Sequence, residues 1–470
     1  MVDNAIQFGT SGWRAIIADE FTFDNVRLAS AAIAGHLLSH NPKPTVIIGH
    51  DTRFFSEEFA RTAGHVLRAH GVKVLLCDGP APTPVIAYEI IRRKTDGAIN
   101  FTASHNPAQY QGLKFSDCKG GPAHPEVTHD IEKRAVQLAK RGASRAHEDP
   151  TEDFERIDPR GPYFQRLAEL VRFSAICEAK LKLVCDPLYG AGAGYLDRIL
   201  ADQGVNATSI RTERDVLFGG HGPDVSEENL AKLGKAVVER GASVGLATDG
   251  DADRFGIVDG DGRFVSPNHV IALLYNYLVE TRGWKMPASR SVATTHLVDA
   301  VARLHAQQAF ETPVGFKYVG AFISDDKIAI GGEESAGLSI RGHLPEKDGI
   351  LACLLTAEMV AARRQSLAEQ LRALFKRVGA EYWPIRLNLR LSEEVRQRAL
   401  GRLKQKYTEF VGRRVARENR LDGLKLEFAD GSWVLMRMSG TEPLMRLYVE
   451  ANSPDASRNL AEEVRKWILE

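Results

Sequence analysis

The chain of 470 residues has few cysteines, no excess of either charge and no long uninterrupted apolar run. Its five cysteines are scattered and form no Cys-X-X-Cys pair, which argues against a disulfide framework and favours a reducing compartment. Basic and acidic residues both number 61, so no net charge attracts nucleic acid or an anionic membrane. The longest apolar stretches, Ile271–Val279 and Ile350–Ala362, are too short or interrupted to span a bilayer, and no secretory signal is visible. We therefore expect a soluble, cytoplasmic protein.

The length exceeds what one hydrophobic core supports, so three or four domains are expected. Apolar strands such as Thr45–Gly49 and Val72–Cys77 alternate with helices such as Ser56–His70, which predicts βαβ units with mostly parallel sheets. The pattern recurs twice more, and the alternating stretch Ile385–Leu391 then introduces a smaller α+β region that is largely antiparallel. The predicted domains are residues 1–150, 151–260, 261–372 and 373–470.

Three of the predicted strands end in polar loops, which read INFTASHNP, VGLATDGDADR and IAIGGEESAG. Ligands of open α/β sheets bind beyond the carboxyl ends of the strands, so three related units can direct these loops at one cleft. The plain alternative is that any α/β protein has polar loops there. The density of chemically reactive groups in these three argues against that alternative.

The first loop contains Ser104 next to His105, with Lys114 further along the chain. Ser104 is a candidate nucleophile, but serine after a buried strand is also ordinary helix-capping chemistry. Adjacency to His105 does not make a catalytic pair, because neighbouring side chains of a strand point to opposite faces. The two roles can coexist, since a helix that begins at Ser104 would also stabilise a phosphate dianion.

The second loop places the carboxylates of Asp249, Asp251 and Asp253 at alternate positions. Three carboxylates in one turn repel each other unless a cation neutralises them, and this spacing lets three oxygens converge on one. The match to a calcium-binding EF-hand loop is poor, and few protein ligands with an open side suit Mg²⁺. The alternative is a solvated acidic turn before a hairpin.

Further loops offer groups that bind anions and hydroxyls. Arg437 begins the stretch RMSGTEP, in which an arginine, two hydroxyls and a glycine could cradle a phosphate, although a decorated β-turn has the same composition. The third strand-end loop, GEES, offers carboxylates and a hydroxyl to pairs of sugar hydroxyls, or a helix cap. Lys347 lies in EKDG, a predicted helix start, where it could also meet an anion. Together these groups describe phosphoryl transfer to or from a small polyol phosphate, with a second phosphate bound at a distance.

With these motifs the sequence resembles the α-D-phosphohexomutase family, which includes phosphoglucomutase and phosphomannomutase. The resemblance runs from FGTSGWRA to RMSGTEPLMRLYVE, with TASHNP, DGDADR and GEES in order between them. It implies three related α/β domains with mixed, mostly parallel sheets and a C-terminal α+β domain, in a heart shape around a central cleft. It also implies an isomerase that interconverts hexose 1-phosphate and hexose 6-phosphate through a phosphoserine and a hexose 1,6-bisphosphate.

The resemblance assigns roles residue by residue. Ser104 would be the phosphoserine, and it would bind Mg²⁺ together with Asp249, Asp251 and Asp253. Lys114 and His105 are our candidates for proton transfer, and Arg14 and Arg254 for contacts to the phosphoserine or its loop. The expected substrate contacts are Lys317, Glu333, Ser335, Lys347, Arg437, Ser439, Gly440, Thr441 and Arg446.

The sugar is less well specified than the chemistry. With Ala336 and Gly337 after it, the GEES loop resembles that of the glucose-handling members of the family, which implies glucose phosphate as substrate and glucose 1,6-bisphosphate as activator and intermediate. Phosphomannomutase or dual specificity is the alternative, and glucosamine phosphate is less favoured. A metal-dependent sugar-phosphate phosphatase and a non-catalytic sugar-phosphate sensor are the other hypotheses. A non-catalytic sensor would be expected to lack the nucleophile or residues of the metal loop, and both loops are intact here. The pattern leaves the choice between a monomer and a dimer open.

Overall fold

The computed structural model describes residues 6–9, 12–141, 154–438 and 444–470. The chain forms two compact units. The first comprises the chain up to Ser266 together with Ser335–Leu367, and the second comprises Pro267–Glu334 together with Ala368–Glu470. The stretch predicted as a third domain, residues 261–372, therefore contributes to both units. In the described part of the chain, no helix combines the length and the apolar character needed to cross a membrane.

The first sheet has seven strands in the order β1-β2-β6-β5-β3-β4-β7. Strands β5, β3, β4 and β7 are parallel, whereas β6 runs antiparallel to β5 and β2, so the sheet is mixed. The strands are β1 Phe8–Gly9, β2 Gly12–Ile16, β3 Thr45–His50, β4 Lys73–Cys77, β5 Gly97–Phe101, β6 Tyr110–Asp117 and β7 Glu155–Ile157. The helices are α1 Phe23–Leu38, α2 Ser56–Ala69, α3 Thr83–Arg93, α4 Pro125–Lys140 and α5 Arg160–Leu170. Strand β5 is buried along its whole length, as its apolar sequence predicts.

The second sheet has the order β12-β11-β10-β8-β9, with β10, β8 and β9 parallel and β11 antiparallel to β10. Its elements are α6 Phe173–Glu178, β8 Lys182–Asp186, α7 Leu196–Asp202, β9 Asn206–Ser209, a 3-10 turn Phe218–Gly220, α8 Ala231–Arg240, β10 Val244–Thr248, β11 Phe255–Asp259 and β12 Phe264–Val265. Because β11 pairs with β10 from its first residue, the connection between them is confined to six residues, 249–254. This is the predicted metal loop.

The second unit begins with α9 Pro267–Arg282, β13 Ala288–Ser291, α10 Leu297–Leu304, β14 Ala309–Thr312, α11 Phe316–Ser324 and β15 Ile330–Glu333. Strands β14, β13 and β15 are parallel, with β13 in the middle. The chain then returns to the first unit with β16 Gly337–Ile340 and α12 Gly349–Arg363. Helix α12 is buried from Gly349 to Ala361 because it packs against β10 and β11, which support the metal loop.

The C-terminal part of the second unit is the predicted α+β region. Its elements are α13 Leu367–Val378, β17 Trp383–Arg390, α14 Glu393–Leu403, β18 Glu409–Phe410, β19 Arg413–Asn419, β20 Leu424–Phe428, β21 Trp433–Met438, β22 Leu444–Ala451 and α15 Pro454–Leu469. The strand order is β17-β22-β21-β20-β19-β18, and every paired neighbour is antiparallel. The prediction of three related mixed α/β regions followed by an antiparallel α+β region is therefore confirmed.

A fully buried lysine lies inside the second unit. The ammonium of Lys425 donates to the carbonyl of Val292 at 2.8 Å and lies 3.1 Å from Glu311 Oε1 and 2.9 Å from His296 Nε2. It also lies 4.1 Å from the centre of the Trp433 ring. Burial, followed by repulsion from Arg290, lowers the pKa of Lys425 from 10.5 to about 8 despite its carboxylate neighbour.

We expect the stability of the second unit to rise with pH because of Lys425. Between the folded pKa of about 8 and the unfolded value of 10.5, the unfolded chain binds more protons, so raising the pH favours the folded state. Relative to Lys425→Met, the wild type should gain about 2 kcal/mol between pH 7 and pH 9.5. Urea midpoints of both proteins across this range measure the gain. Replacing the exposed Lys404 by methionine is the control, and parallel curves for wild type and Lys425→Met would contradict the prediction.

Candidate active site

Ser104 lies in the connection between β5 and β6 and is only 1% exposed. Its hydroxyl donates a hydrogen bond to Oδ2 of Asp249 at 2.9 Å, and its Oγ is 3.4 Å from Nδ1 of His105. Its backbone adopts the left-handed conformation, with φ of 52°, and its N–H donates to the Thr102 hydroxyl. A non-glycine residue in this conformation is uncommon in proteins, and such residues recur at functional sites as well as at turns and helix ends. The nucleophile loop and the metal loop therefore meet at the Ser104 side chain.

No helix begins at Ser104. Residues 102–109 form turns that lead directly into the antiparallel strand β6, so the predicted helix N-terminus behind the phosphoserine is wrong. The sequence pattern misled because Ser, Asn and Pro suit a tight reversal between paired strands as well as a helix start.

Arg53 organises the nucleophile loop in place of a helix. Its side chain is completely buried, and its Nη atoms donate four hydrogen bonds, each between 2.6 and 3.0 Å, to backbone carbonyls of this loop. The carbonyls belong to Ser104, Asn106, Pro107 and Tyr110. Its Nε donates to Asp51, which neutralises its charge. An irregular loop with its carbonyls bound in this way is rigid, so Ser104 is fixed before any ligand arrives.

The three aspartates of the metal loop are all buried, and one oxygen from each lies within 4.8 Å of the others. Oδ1 of Asp251 and Oδ1 of Asp253 are buried and have no hydrogen-bond partner among the described residues. Burial and the charges of Asp251 and Asp253 raise the pKa of Asp249 well above its usual value. Buried carboxylate oxygens are costly unless a cation or a hydrogen-bond donor satisfies them, and a divalent cation would satisfy these three together. The residues therefore fit a hard cation with oxygen ligands.

Two lysines face the same carboxylates. Lys114, on β6, donates to Asp251 at 2.5 Å and to Asp253 at 2.9 Å. Lys347 lies 3.2 Å from Asp253 and 2.7 Å from Glu346. Although burial opposes it, attraction to Asp251 and Asp253 raises the pKa of Lys114, so its ammonium form is favoured. Burial alone would raise the pKa of Asp253, but the charges of Lys114 and Lys347 outweigh burial and lower that pKa.

The other predicted cations lie in or beside the nucleophile and metal loops. Nη1 of Arg14 donates to Oδ1 of Asn106 at 2.7 Å and thereby contacts the nucleophile loop. Arg254 lies 3.6 Å from Asp224 and 3.9 Å from Asp253. Burial, together with the charges of Arg254 and Arg14, lowers the pKa of His105 well below 6.5, which favours its neutral form.

The EKDG stretch packs directly on the metal loop. Gly349 donates its backbone N–H to the carbonyl of Ala252, and a Cβ at Gly349 would lie 2.3 Å from the carbonyl oxygen of Arg254. Asp348 caps α12 by accepting from the N–H of Leu351, which confirms the predicted helix start. Its carboxylate also accepts from Tyr163 and contacts Nε2 of His343. Lys347 is thus positioned by a capped helix end that fits closely against the loop.

We expect Gly349→Ala to displace the metal loop, because the new methyl group would overlap the Arg254 carbonyl. A shift of about 1 Å in an active site lowers turnover by on the order of 10²-fold, and the melting temperature should fall as well. Gly401→Ala is the matched control, since Gly401 also lies in a helix and a Cβ there meets nothing within 4 Å. That variant should keep full activity and gain up to about 1 kcal/mol of stability. Equal behaviour of the two variants would contradict the prediction.

Sequence reasoning missed two residues besides Arg53. The Thr83 hydroxyl donates to Oδ2 of Asp251 at 2.5 Å, and its backbone N–H donates to the Asp251 carbonyl at 2.9 Å. Asn100 donates to the same hydroxyl at 3.0 Å, so Asp251 is oriented from the first sheet. Thr83 is the first residue of α3, directly after a Pro-rich turn, and no local pattern distinguishes it from an ordinary helix-start residue.

The remaining predicted residues are distributed between the two units. Ser335 belongs to the first unit, next to Ala336, whose carbonyl accepts from the N–H of Phe255 at the end of the metal loop. In the second unit, Glu333 is 4% exposed and accepts at Oε1 from the N–H of Gly315 at 2.7 Å. Lys317 is the second residue of α11, and its ammonium lies 5.1 Å from the centre of the Tyr318 ring.

Arg437, the first residue of RMSGTEP, is paired directly with Arg446 across strands β21 and β22. Two like charges in such a pair are destabilising unless an anion or a carboxylate lies between or beside them. Nε of Arg437 donates to Asp422 at 2.7 Å, whereas Nε of Arg446 is buried and has no hydrogen-bond partner within the described part of the chain. These contacts suit an anion-binding hairpin. The predicted ligands Ser439, Gly440 and Thr441 lie outside the described residues.

Four family models match the chain in order. They are described as the alpha/beta/alpha domains I, II and III and the C-terminal domain of phosphoglucomutase/phosphomannomutase, and they match residues 5–141, 161–262, 266–378 and 387–466.

Individual proteins are similar over nearly the whole chain. A phosphoglucomutase of Komagataeibacter xylinus is 30% identical, with 95% of this chain and 87% of the relative covered. A candidate phosphoglucosamine mutase of Methanothermobacter thermautotrophicus is also 30% identical, with 98% and 97% covered. Among solved structures, a candidate phosphomannomutase of Thermus thermophilus is 35% identical with a TM-score of 0.87, and 99% of each chain is covered.

Proposed function

The chain belongs to the phosphoglucomutase/phosphomannomutase family, and from this premise we propose that it interconverts glucose 1-phosphate and glucose 6-phosphate through a phosphoserine at Ser104. Membership makes the protein a phosphohexomutase, an isomerase that moves a phosphoryl group within a hexose phosphate. The observation that carries the proposed role of Ser104 is the bond from its hydroxyl to Asp249, inside a buried carboxylate cluster with two lysines.

In the proposed reaction, phosphorylated Ser104 transfers its phosphoryl group to the free hydroxyl of the hexose phosphate. The O–P bond to serine breaks as the O–P bond to the sugar forms, which gives a hexose 1,6-bisphosphate. The bisphosphate turns over in the site, and its other phosphoryl group returns to Ser104. Arg437 and Arg446, with Ser439, Gly440 and Thr441, bind the phosphate that is not reacting.

Asp249, Asp251 and Asp253, together with the phosphorylated Ser104, would hold Mg²⁺. Bound there, the ion would neutralise charge that develops on the transferred phosphoryl group. The buried oxygens of Asp251 and Asp253 that lack partners support this assignment. Lys114 and Lys347 keep the remaining carboxylate charge compensated, so that a phosphate dianion can approach.

We assign the proton transfers to His105 and Lys114. When the phosphoryl group leaves Ser104, the attacking sugar hydroxyl loses a proton and the departing Ser104 oxygen gains one, and the return transfer reverses both steps. The neutral imidazole of His105, whose Nδ1 lies 3.4 Å from Ser104 Oγ, can accept the first proton, and the ammonium of Lys114 can donate the second. Arg14 and Arg254 act as fixed cations around the phosphoserine. Glu333, Ser335 and Lys317 supply contacts to the sugar.

The preference for glucose rests on the GEES loop with Ala336 and Gly337 after it. The similarity to a relative named phosphoglucomutase supports it, while other relatives carry the names of phosphoglucosamine mutase and phosphoglucomutase/phosphomannomutase. Mannose phosphate is the second candidate substrate, because the family model and the Thermus neighbour include that sugar in their descriptions.

Intact mass spectrometry tests the proposal. The purified protein is incubated with glucose 1,6-bisphosphate and Mg²⁺ and should gain one phosphoryl group with release of a glucose monophosphate. Excess glucose 1-phosphate should then remove that group with formation of glucose 1,6-bisphosphate, and continued turnover should give glucose 6-phosphate. The 1-phosphates of mannose and glucosamine, tested in parallel, should discharge the phosphoenzyme more slowly. Faster discharge by either sugar would overturn the glucose assignment, and release of inorganic phosphate at the rate of product formation would indicate a phosphatase.

A further inference from the structure

The turn between β19 and β20 is anchored at both ends, to Glu311 in β14 and to Val314 just after it. At the start of the turn, the side-chain amide of Asn419 donates to Oε2 of Glu311 at 2.6 Å. Near its end, Oδ2 of Asp422 accepts from the backbone N–H of Val314 at 3.0 Å. The turn therefore has a fixed position against residues 311–315.

The second oxygen of Asp422 binds the arginine of the phosphate hairpin. Oδ1 accepts from Nε of Arg437 at 2.7 Å, and both side chains are about one-fifth exposed. A guanidinium that is bound through Nε has a fixed plane, and bidentate binding of a phosphate requires that plane to be fixed. Asp422 thus orients Arg437 as well as neutralising part of the repulsion between Arg437 and Arg446.

The next backbone N–H group, that of Gly315, binds Glu333, the carboxylate that we propose contacts the sugar. Gly315 follows Val314 directly, and its N–H donates to Oε1 of Glu333 at 2.7 Å. Its φ of 134° lies in the region that favours glycine, so this turn presents two successive N–H groups to two different carboxylates. Asp422 and Glu333 are therefore connected through the backbone of residues 314 and 315.

Gly423 brings the turn close enough for this arrangement. Its φ is 97°, and a Cβ at this position would lie 2.6 Å from the carbonyl oxygen of Met436 and 3.3 Å from Cα of Arg437. A side chain at residue 423 would push the turn away from β21. Glycine at residue 423 therefore permits the close approach of this turn to β21.

We propose that Asp422 is a positioning residue that couples the phosphate-binding Arg437 to the sugar-binding Glu333, so that these two substrate-binding side chains are oriented together. This inference rests on the proposed function, which makes Arg437 and Glu333 substrate contacts. The described contacts of Asp422 are to Val314 and Arg437, so it acts through them and not on the reacting groups. Its loss should weaken substrate binding, while transfer between Ser104 and a bound substrate continues.

The test compares Asp422→Ala and Asp422→Asn with the wild type. Isothermal titration with glucose 6-phosphate gives Kd, and steady-state kinetics give KM and kcat. Asp422→Ala should raise Kd and KM about tenfold, the effect of losing one charged hydrogen bond, and change kcat less than about threefold. Asp422→Asn should have a smaller effect, because its amide oxygen can still accept from Val314. Asp430→Ala is the control, since that turn carboxylate contacts Ser432 and Arg413.

Double-mutant cycles separate coupling from a general structural role. In the Arg437→Met background and in the Glu333→Ala background, Asp422→Ala should change Kd less than about twofold. Additive effects in either cycle, or a Kd for Asp422→Ala equal to that of the wild type, would overturn the positioning role. Loss of folding in the alanine variant would show in its thermal transition, and the asparagine variant then carries the test. A wild type that binds glucose 6-phosphate without turning it over would contradict the proposed function instead.

Discussion

Mutase turnover should fall by on the order of 10⁴-fold or more when Ser104 is replaced by alanine. The variant lacks the hydroxyl oxygen of Ser104, which we propose carries the phosphoryl group. The change removes the hydroxyl that donates to Asp249 and leaves the backbone contacts from Arg53 unchanged. Conversion of glucose 1-phosphate to glucose 6-phosphate, started with catalytic glucose 1,6-bisphosphate, measures the loss. Intact mass should show no phosphorylated form.

Ser174→Ala provides the matched control, since Ser174 is an exposed serine of the same unit. That variant should be phosphorylated and active like the wild type. Residual turnover of Ser104→Ala above about 1% of the wild-type rate would mean that another group accepts the phosphoryl group.

Asp251→Asn should reduce mutase turnover by roughly 10³-fold, which corresponds to the several kcal/mol of charge stabilisation that a divalent ion supplies. The asparagine can still accept from the Thr83 hydroxyl, so the loop keeps its support from the first sheet. One of three convergent carboxylates is lost, and affinity for a hard cation depends on the number of charged oxygens.

A thermal shift gives a second readout that does not depend on activity. Mg²⁺ should raise the melting temperature of the wild type, because an ion that binds only the folded state stabilises it. The shift should be absent in Asp251→Asn and unchanged in Asp261→Asn, whose exposed side chain lies in the hairpin turn of the same sheet. An equal Mg²⁺ shift in wild type and Asp251→Asn would contradict the metal assignment.

Local chemistry made much of the fold and the site predictable. The apolar run before TASHNP is a buried strand, and the spacing of Asp249, Asp251 and Asp253 gives a cluster of converging oxygens. Asp348 caps α12 as the EKDG pattern predicts. In each case the chemistry of a few neighbouring residues determines the conformation, so the sequence pattern is sufficient.

The parts that escaped prediction depend on residues that are distant in sequence. Arg53 binds backbone carbonyls of the nucleophile loop, and backbone groups leave no trace in a residue pattern. Asp422 looks like an ordinary turn aspartate until Arg437 and Val314 are seen beside it. The pattern at Ser104 predicts a helix start, whereas the structure has a reversal into the antiparallel strand β6, because strand direction is decided by pairing across the whole sheet.

The return of residues 335–367 to the first unit affects how the protein can be made and divided. The nucleophile and metal loops emerge early during synthesis, but α12, which packs beneath them, follows only after the whole first segment of the second unit. A nascent chain that ends before Gly349 leaves the supporting face of β10 and β11 uncovered, so chaperones have exposed apolar surface to recognise at that stage. For the same reason no contiguous stretch of the gene encodes the first unit alone. A minimal fragment would have to splice Ser266 to Ser335.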